Sequence, residues 1–589
     1  FALLLLSVSN ECLKTNNTIT IKTVSSGTLR GQLVKVLGHQ IGQFLNIPYA
    51  EPPVDRLRFA KPVPLKASAT DTVRDATKPG NSCMQSPSDS SLHESEDCLV
   101  LNIWTPIIGS TGNSSSSSVG HLKPVMFWIH GGAFNRGSIF MPQYYGHRLA
   151  TYDVVVVSIN YRLGMFGFLY GGYNDEYEEG APGNVGLYDQ LLALKWVRDN
   201  IHMFGGNKSA ITLFGQGAGA ISTTVHILSP LSRGLFARAI IESGAEYHYW
   251  GRPYRTPEES LDDTHCLAKQ FGCSADWLLC LRNVSADKLV KYTDHITYPL
   301  EGTPILPASA QYAFGNGSYA QNIDIMAGVV KDEGYPGIEY DFPDVSDSMT
   351  ERLFNLLVNE ANDQLHGIDV KAVDRFYLQH VNKYNPDQLW HAFARVYGDV
   401  QIKCPTYLFA KQYALHDKHH TTNSSSSSVG SRVYFYELTY RSQVSTDCQT
   451  TGRVCHGSDL PFVFGVPLND TTNYNITDIT FSTAIMQMWT EFVKYGAPGP
   501  QWPLLLNTTA NNITNYTSDV SSMTNVRELN PWTMATTRDL HHTFAHTTCD
   551  TFWRNYFQPE PVPKPLSSTN STGMDVHPLF AVLIAFIIL

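Results

Sequence analysis

The chain of 589 residues is 43% apolar, enough to bury a large core, and by length alone it would divide into roughly two to four domains. Its formal net charge of -11, from 42 Lys and Arg against 53 Asp and Glu, supplies no basic stripe for a phosphate backbone, so nucleic acid is excluded as an expected partner. The same balance argues against binding to an anionic membrane surface.

Taken in chain order, the opening FALLLLSVSN reads as the end of a signal-peptide apolar core followed by small residues, and residues 1–9 are assigned as its remnant; the alternative is a buried strand. From residue 23, TVSSGTLRGQLVKVLGHQIGQFLNIPYAEPP alternates apolar and polar residues around glycines and predicts an N-terminal antiparallel meander. The pattern then changes. PVMFWIHGG (124–132), DVVVVSIN (153–160), AITLF (210–214), FARAIIES (236–243) and IDIMAGVV (323–330) are almost unbroken apolar runs, as strands buried on both faces require. Residues 187–203 carry apolar side chains at helical spacing. Buried strands alternating with helices predict an α/β domain with a mostly parallel central sheet flanked by helices, over residues 20–557.

The octapeptide NSSSSSVG occurs at 113–120 and again at 423–430, and serine runs of this kind are expected as loop insertions. After residue 557, QPEPVPKPLSSTNSTG begins a Pro/Ser/Thr-rich stalk (558–577), followed by the apolar tail PLFAVLIAFIIL (578–589). A spanning helix needs about 20 apolar residues. This run is shorter, and with small residues at Asn570, Ser571 and Thr572 it fits a glycolipid-anchor signal; a spanning helix cut short is the alternative. Either one predicts a protein held at the extracellular face of the plasma membrane.

Ten cysteines and many Asn-x-Ser/Thr sequons point to the secretory pathway. The sequons begin at Asn16, Asn113, Asn207, Asn283, Asn316, Asn423, Asn469, Asn475, Asn507, Asn512, Asn515 and Asn570. No metal-ligand cluster and no cofactor motif stands out. ITLFGQGAGA (211–220) is a strand running through a glycine turn into a helix, which suits either a pyrophosphate cradle or a nucleophile elbow. A dinucleotide fingerprint would need a third glycine where Ala220 stands, so the elbow is preferred. Gly215, Gln216, Gly217, Ala218 and Gly219 keep the Gly-x-Ser-x-Gly frame with glycine in the serine's place.

Several further stretches stand in matching order: FLNIPYAEPP from Phe44, EDCLVLNIWTP from Glu96, WIHGGAF from Trp128, NYRLGMFGFL from Asn160, GNVGLYDQ from Gly183, VVKDEG from Val329 and HGSDLPFVFG from His456. With them the chain resembles the type-B carboxylesterases and cholinesterases from about Ser25 to Phe557. The resemblance implies an α/β-hydrolase fold, Glu333 as triad acid, His456 as triad base, and Gly132, Ala133 and Ala218 as oxyanion-hole donors. It also implies disulfides Cys83–Cys98, Cys273–Cys280 and Cys404–Cys549. A bridge between Cys448 and Cys455, which flank a short loop before His456, is inferred separately. Cys12 and Cys266 stay open: paired together, free, or linking subunits.

Active members of that family read Gly-Glu-Ser-Ala-Gly at the elbow. Here Gln216 and Gly217 replace the Glu and Ser, and glycine has no atom with which to attack an ester. The loop MQSPSDSSLHESED between Cys83 and Cys98 also lacks the tryptophan with which cholinesterases hold a choline cation. The chain thus resembles the neuroligin-type adhesion molecules, whose elbow is also Gly-x-Gly-Ala-Gly. That likeness implies an inactive, glycosylated surface protein that binds a cell-surface protein partner and forms a homodimer. The alternatives are a residual hydrolase in which Glu333 and His456 activate water, and a carrier for a small hydrophobic ester.

Overall fold

The computed structural model describes residues 17–557 except 67–72, 86–92, 107–121, 173–179, 248–254, 275, 296–297, 336, 343–344, 366–367, 423–429, 445–451, 507–523 and 535–543. The serine octapeptides fall almost wholly outside these residues, and the leader, stalk and tail lie entirely outside them.

The first strands are β1 (Thr18–Lys22), β2 (Thr28–Val36) and β3 (His39–Pro48), joined antiparallel as the meander predicts. β4 (Val73–Asp75) lies parallel to β2, while β5 (Ser82–Cys83) and β6 (Glu94–Ser95) form a small separate pair. The main sheet continues with β7 (Val100–Pro106), β8 (Lys123–Ile129), β9 (Val155–Ile159), β10 (Gly206–Gln216), β11 (Arg238–Glu242), β12 (Asp324–Val330), β13 (Val433–Leu438) and β14 (Arg527–Leu529). Its order is β1-β2-β3-β7-β9-β8-β10-β11-β12-β13-β14, parallel throughout from β9 onward. This mostly parallel sheet flanked by helices is the α/β-hydrolase architecture.

Strand alternation explains the unbroken apolar runs. Along β8, Phe127 joins the core on one face with Leu213, Ile241 and Phe435. Its neighbours Met126 and Trp128 join the core on the other face with Phe214, Ile240 and Tyr436. The first face is covered by helices that include Val185–Asn200 and Ala218–Leu228, the second by Ile476–Tyr495. The helix expected over 187–203 spans Val185–Asn200 and tightens into a 3-10 turn, Ile201–Phe204, which ends at Gly205 with φ 77°. Helix Ile476–Tyr495 begins with a capping box. Asn475 Oδ1 accepts from the Asp478 N–H at 3.0 Å, Asp478 Oδ2 accepts from the Asn475 N–H at 3.2 Å, and the helix stops at left-handed Gly496. Its Trp489 reaches back under the centre of the sheet.

The disulfides Cys83–Cys98, Cys273–Cys280 and Cys404–Cys549 are formed. Cys455 is also in a disulfide, Cys448 and Cys12 lie outside the described residues, and Cys266 is an exposed free thiol.

Candidate active site

β10 is a central strand, and it delivers the chain to the carboxyl edge of the parallel sheet, where α/β folds place their sites. There Gly217 adopts φ 57°, ψ -121°, donates its N–H to the Glu242 carbonyl at 2.9 Å, and accepts from the Ile221 N–H at 2.9 Å to open helix Ala218–Leu228. The two flanking glycines are required by space. A β-carbon on Gly215 would lie 2.4 Å from the Gly219 backbone, and one on Gly219 would lie 1.9 Å from the Ile129 oxygen. At Gly217 the close neighbour among the described residues is a side chain: a β-carbon there would lie 2.9 Å from His456 Nε2.

His456 is held from two sides. Its loop is zipped to the loop after β12, with the His456 N–H on the Tyr335 carbonyl at 2.9 Å and the Asp332 N–H on the Val454 carbonyl at 2.9 Å. Its Nδ1 lies 2.7 Å from Glu333 Oε2, and Glu333, only 2% exposed, fixes its other oxygen by accepting the Val330 N–H at 2.8 Å. Its Nε2 lies 2.9 Å from Gln216 Nε2. An amide nitrogen only donates, so His456 Nε2 is the acceptor and Nδ1 carries the proton given to Glu333. The lone pair a general base would use is taken up by the Gln216 amide.

Across the elbow, Gly132 (φ 118°) and Ala133 (φ 51°) form a left-handed turn, closed by the N–H groups of Asn135 and Arg136 on the Gly132 carbonyl. Ala218 is the first residue of its helix, where an N–H has no partner within the helix. None of these three N–H groups is bonded to a described residue. Just before the turn, His130 is buried against Tyr161 with ring centroids 4.6 Å apart, and burial pushes its pKa down to about 4, so it is neutral. Gly217, His456 and Glu333 thus stand together at the elbow, with Ala218 next to Gly217 at the start of its helix.

The carboxylesterase family profile matches residues 16–532. The chain belongs to the carboxylesterase family. The cholinesterase of Mus musculus is 34% identical over 531 residues, covering 83% of this chain and 82% of its own. An acetylcholinesterase of Bungarus fasciatus is 34% identical over 513 residues (81% and 78%), and acetylcholinesterase 4 of Caenorhabditis briggsae is 33% identical over 510 (80% and 80%).

Several family motifs in this carboxylesterase-family chain serve the framework. Glu96 of EDCLVL takes Arg58 Nε and Nη2, both at 2.6 Å, while Arg58 Nη1 bonds the carbonyls of Leu281, Arg282 and Val284. Arg162 of NYRLG forms a buried fork on Asp189 of GNVGLYDQ at 2.8 and 2.7 Å. Of the sequon asparagines, Asn283, Asn316, Asn469 and Asn475 are exposed and Asn207 is half-buried; Asn16, Asn113, Asn423, Asn507, Asn512, Asn515 and Asn570 lie outside the described residues. Sequence reasoning marked Gln216 as a departure but missed its bond to His456. It also missed the roles of Glu242, which closes an apolar strand, and of Asp459, which lies within HGSDLPFVFG, since neither position carries a signal of a paired acid.

Proposed function

We propose that this carboxylesterase-family chain is a catalytically inactive, cholinesterase-like surface glycoprotein whose hydrolase fold serves as a rigid platform for binding a cell-surface protein. One observation carries this reading: the His456 nitrogen that would take a serine's proton lies 2.9 Å from the position of a β-carbon on Gly217 and is bonded to Gln216. Glycine offers no nucleophilic atom, and the amide withdraws the base from other partners. The exposed sequons and the disulfides fit a protein of the secretory pathway. Anchoring through the C-terminal tail and homodimer formation belong to the same proposal.

The intact Glu333–His456 pair favours a second reading, a residual hydrolase that activates water. Water would have to displace the Gln216 amide from His456 Nε2 first, which places this reading second. A chromogenic short-chain ester separates the two. The purified glycosylated ectodomain is expected to give no turnover that depends on His456, and turnover abolished by His456→Ala would overturn inactivity.

A further inference from the structure

Behind the elbow lies a second group of titratable side chains that the hydrolase site does not use. The strand register sets Gln216, Glu242, Gly328 and Tyr436 in one row across β10, β11, β12 and β13, so their side-chain positions share one face. Gly328 makes the row continuous: a β-carbon there would lie 2.2 Å from the Tyr436 ring, which leans across β12 toward Glu242. From the covering helix, Trp489 donates its indole N–H to Glu242 Oε1 at 2.6 Å, and its ring packs tilted against Tyr436 with centroids 5.2 Å apart. Asp459, three residues after His456, accepts the Tyr436 hydroxyl on Oδ2 at 3.3 Å.

Glu242 and Asp459 are 0% and 4% exposed, and each has one oxygen, Glu242 Oε2 and Asp459 Oδ1, without a hydrogen-bond partner among the described residues. A buried carboxylate oxygen left bare is costly. The facing groups offer little relief. Gln216 is neutral, Trp489 and Tyr436 carry no charge near neutrality, and Glu333 adds a further acid. Among the described residues, His456 stays neutral while its Nε2 accepts from Gln216, and the cation Lys403 is bonded to Glu437 at 2.8 Å. Two ionised carboxylates, linked through Tyr436 and Trp489 and acting on each other, would thus lack a bonded counter-charge.

We propose that Glu242 and Asp459 share one proton, the Glu242 Oε2–H donating to Asp459 Oδ1 directly or through one internal water, and that this bridge makes the elbow's stability pH-sensitive. One proton satisfies both bare oxygens and removes one of the two charges. Burial, and then the charge of Asp459, raises the pKa of Glu242 well above the usual carboxyl range, while burial and the charge of Glu333 raise that of Asp459 to about 6. Both folded-state values lie above the unfolded ones, so the folded protein keeps protons that the unfolded chain has released. The stabilisation is complete below the unfolded carboxyl range and is lost as pH rises through the folded values.

The test compares the pH dependence of Tm for the whole ectodomain with that of Glu242→Gln, which keeps an acceptor for Trp489 and cannot ionise. From about pH 5 to about pH 8 the wild-type Tm should fall relative to the variant by a few degrees. Parallel profiles would overturn the proposal. Difference infrared spectroscopy of the wild type near neutral pH should show a protonated-carboxyl C=O band that moves or disappears in Asp459→Asn; absence of that band in the wild type, or its persistence unchanged in the variant, refutes the shared proton even if Glu242→Gln does not fold. Neither readout depends on whether the chain hydrolyses esters.

Discussion

Restoring the missing hydroxyl tests the proposed function most directly. In Gly217→Ser the new β-carbon would fall 2.9 Å from His456 Nε2, inside the roughly 3.5 Å at which nonbonded carbon contacts become favourable. The imidazole must therefore retreat by about half an ångström or more and loosen its bond to Gln216, at a cost of about 0.5–1.5 kcal/mol. A non-glycine residue at φ 57° adds about 1–3 kcal/mol of backbone strain. The variant should thus unfold about 1.5–4.5 kcal/mol more easily, the sum of those two costs, and its urea midpoint should shift to match. Activity should appear in return: ester turnover dependent on His456 and at least about 10²-fold above the wild-type chain, the low end of what positioned proton transfer contributes. Adding Gln216→Glu should raise it further, because the amide no longer caps Nε2 and a carboxylate favours the imidazolium formed during attack. A well-folded double variant with no His456-dependent turnover would show that the oxyanion turn and triad are not aligned for chemistry, and the geometric reasoning would fail.

Cys404 and Cys549 are both fully buried and close a loop with a sequence separation of 145; Cys404→Ala with Cys549→Ala should lower stability by about 2–5 kcal/mol in urea titration. Asn475 is both a sequon and a helix cap. Asn475→Asp should lose the glycan mass on a gel with little change in Tm, whereas Asn475→Ala should lose the glycan and about 1 kcal/mol of stability. If the tail directs a glycolipid anchor, phosphatidylinositol-specific phospholipase should release the protein from expressing cells; retention on the membrane would favour a spanning helix.

The parallel core was legible in the sequence because strands covered on both faces leave unbroken apolar runs, and those from 124 to 330 became β8 to β12. β13, VYFYEL, and the three-residue β14 went unread. The first carries tyrosines and a glutamate that break the apolar signal, although Tyr436 is fully buried and Glu437 pairs with Lys403. The second is too short to show a period. The meander was readable from its alternation. At the site, the elbow could be read because its glycines are forced by backbone approach, and space of that kind leaves a fixed spacing in the chain. The Gln216–His456 bond joins residues 240 positions apart and leaves no local trace.

That bond bears on why a glutamate–histidine pair persists beside a glycine. Without a hydroxyl at position 217 and without Gln216, His456 Nε2 would lose a donor at a side chain 26% exposed, a cost toward the low end of about 1–3 kcal/mol. A glutamate at position 216 could not meet that need while ionised, since a carboxylate only accepts; a glutamine can, at 2.9 Å. Gly217 and Gln216 therefore act as one unit. The first vacates the space into which the imidazole settles, and the second supplies the proton its free nitrogen lacks. With Glu333 on the other nitrogen, His456 has a partner at each end and ties β10 to the loop after β12. Gln216→Ala separates this account from mere tolerance of the substitution. It should destabilise the fold by about 1 kcal/mol or more in the Gly217 background, and by less in Gly217→Ser, where the hydroxyl supplies the missing donor.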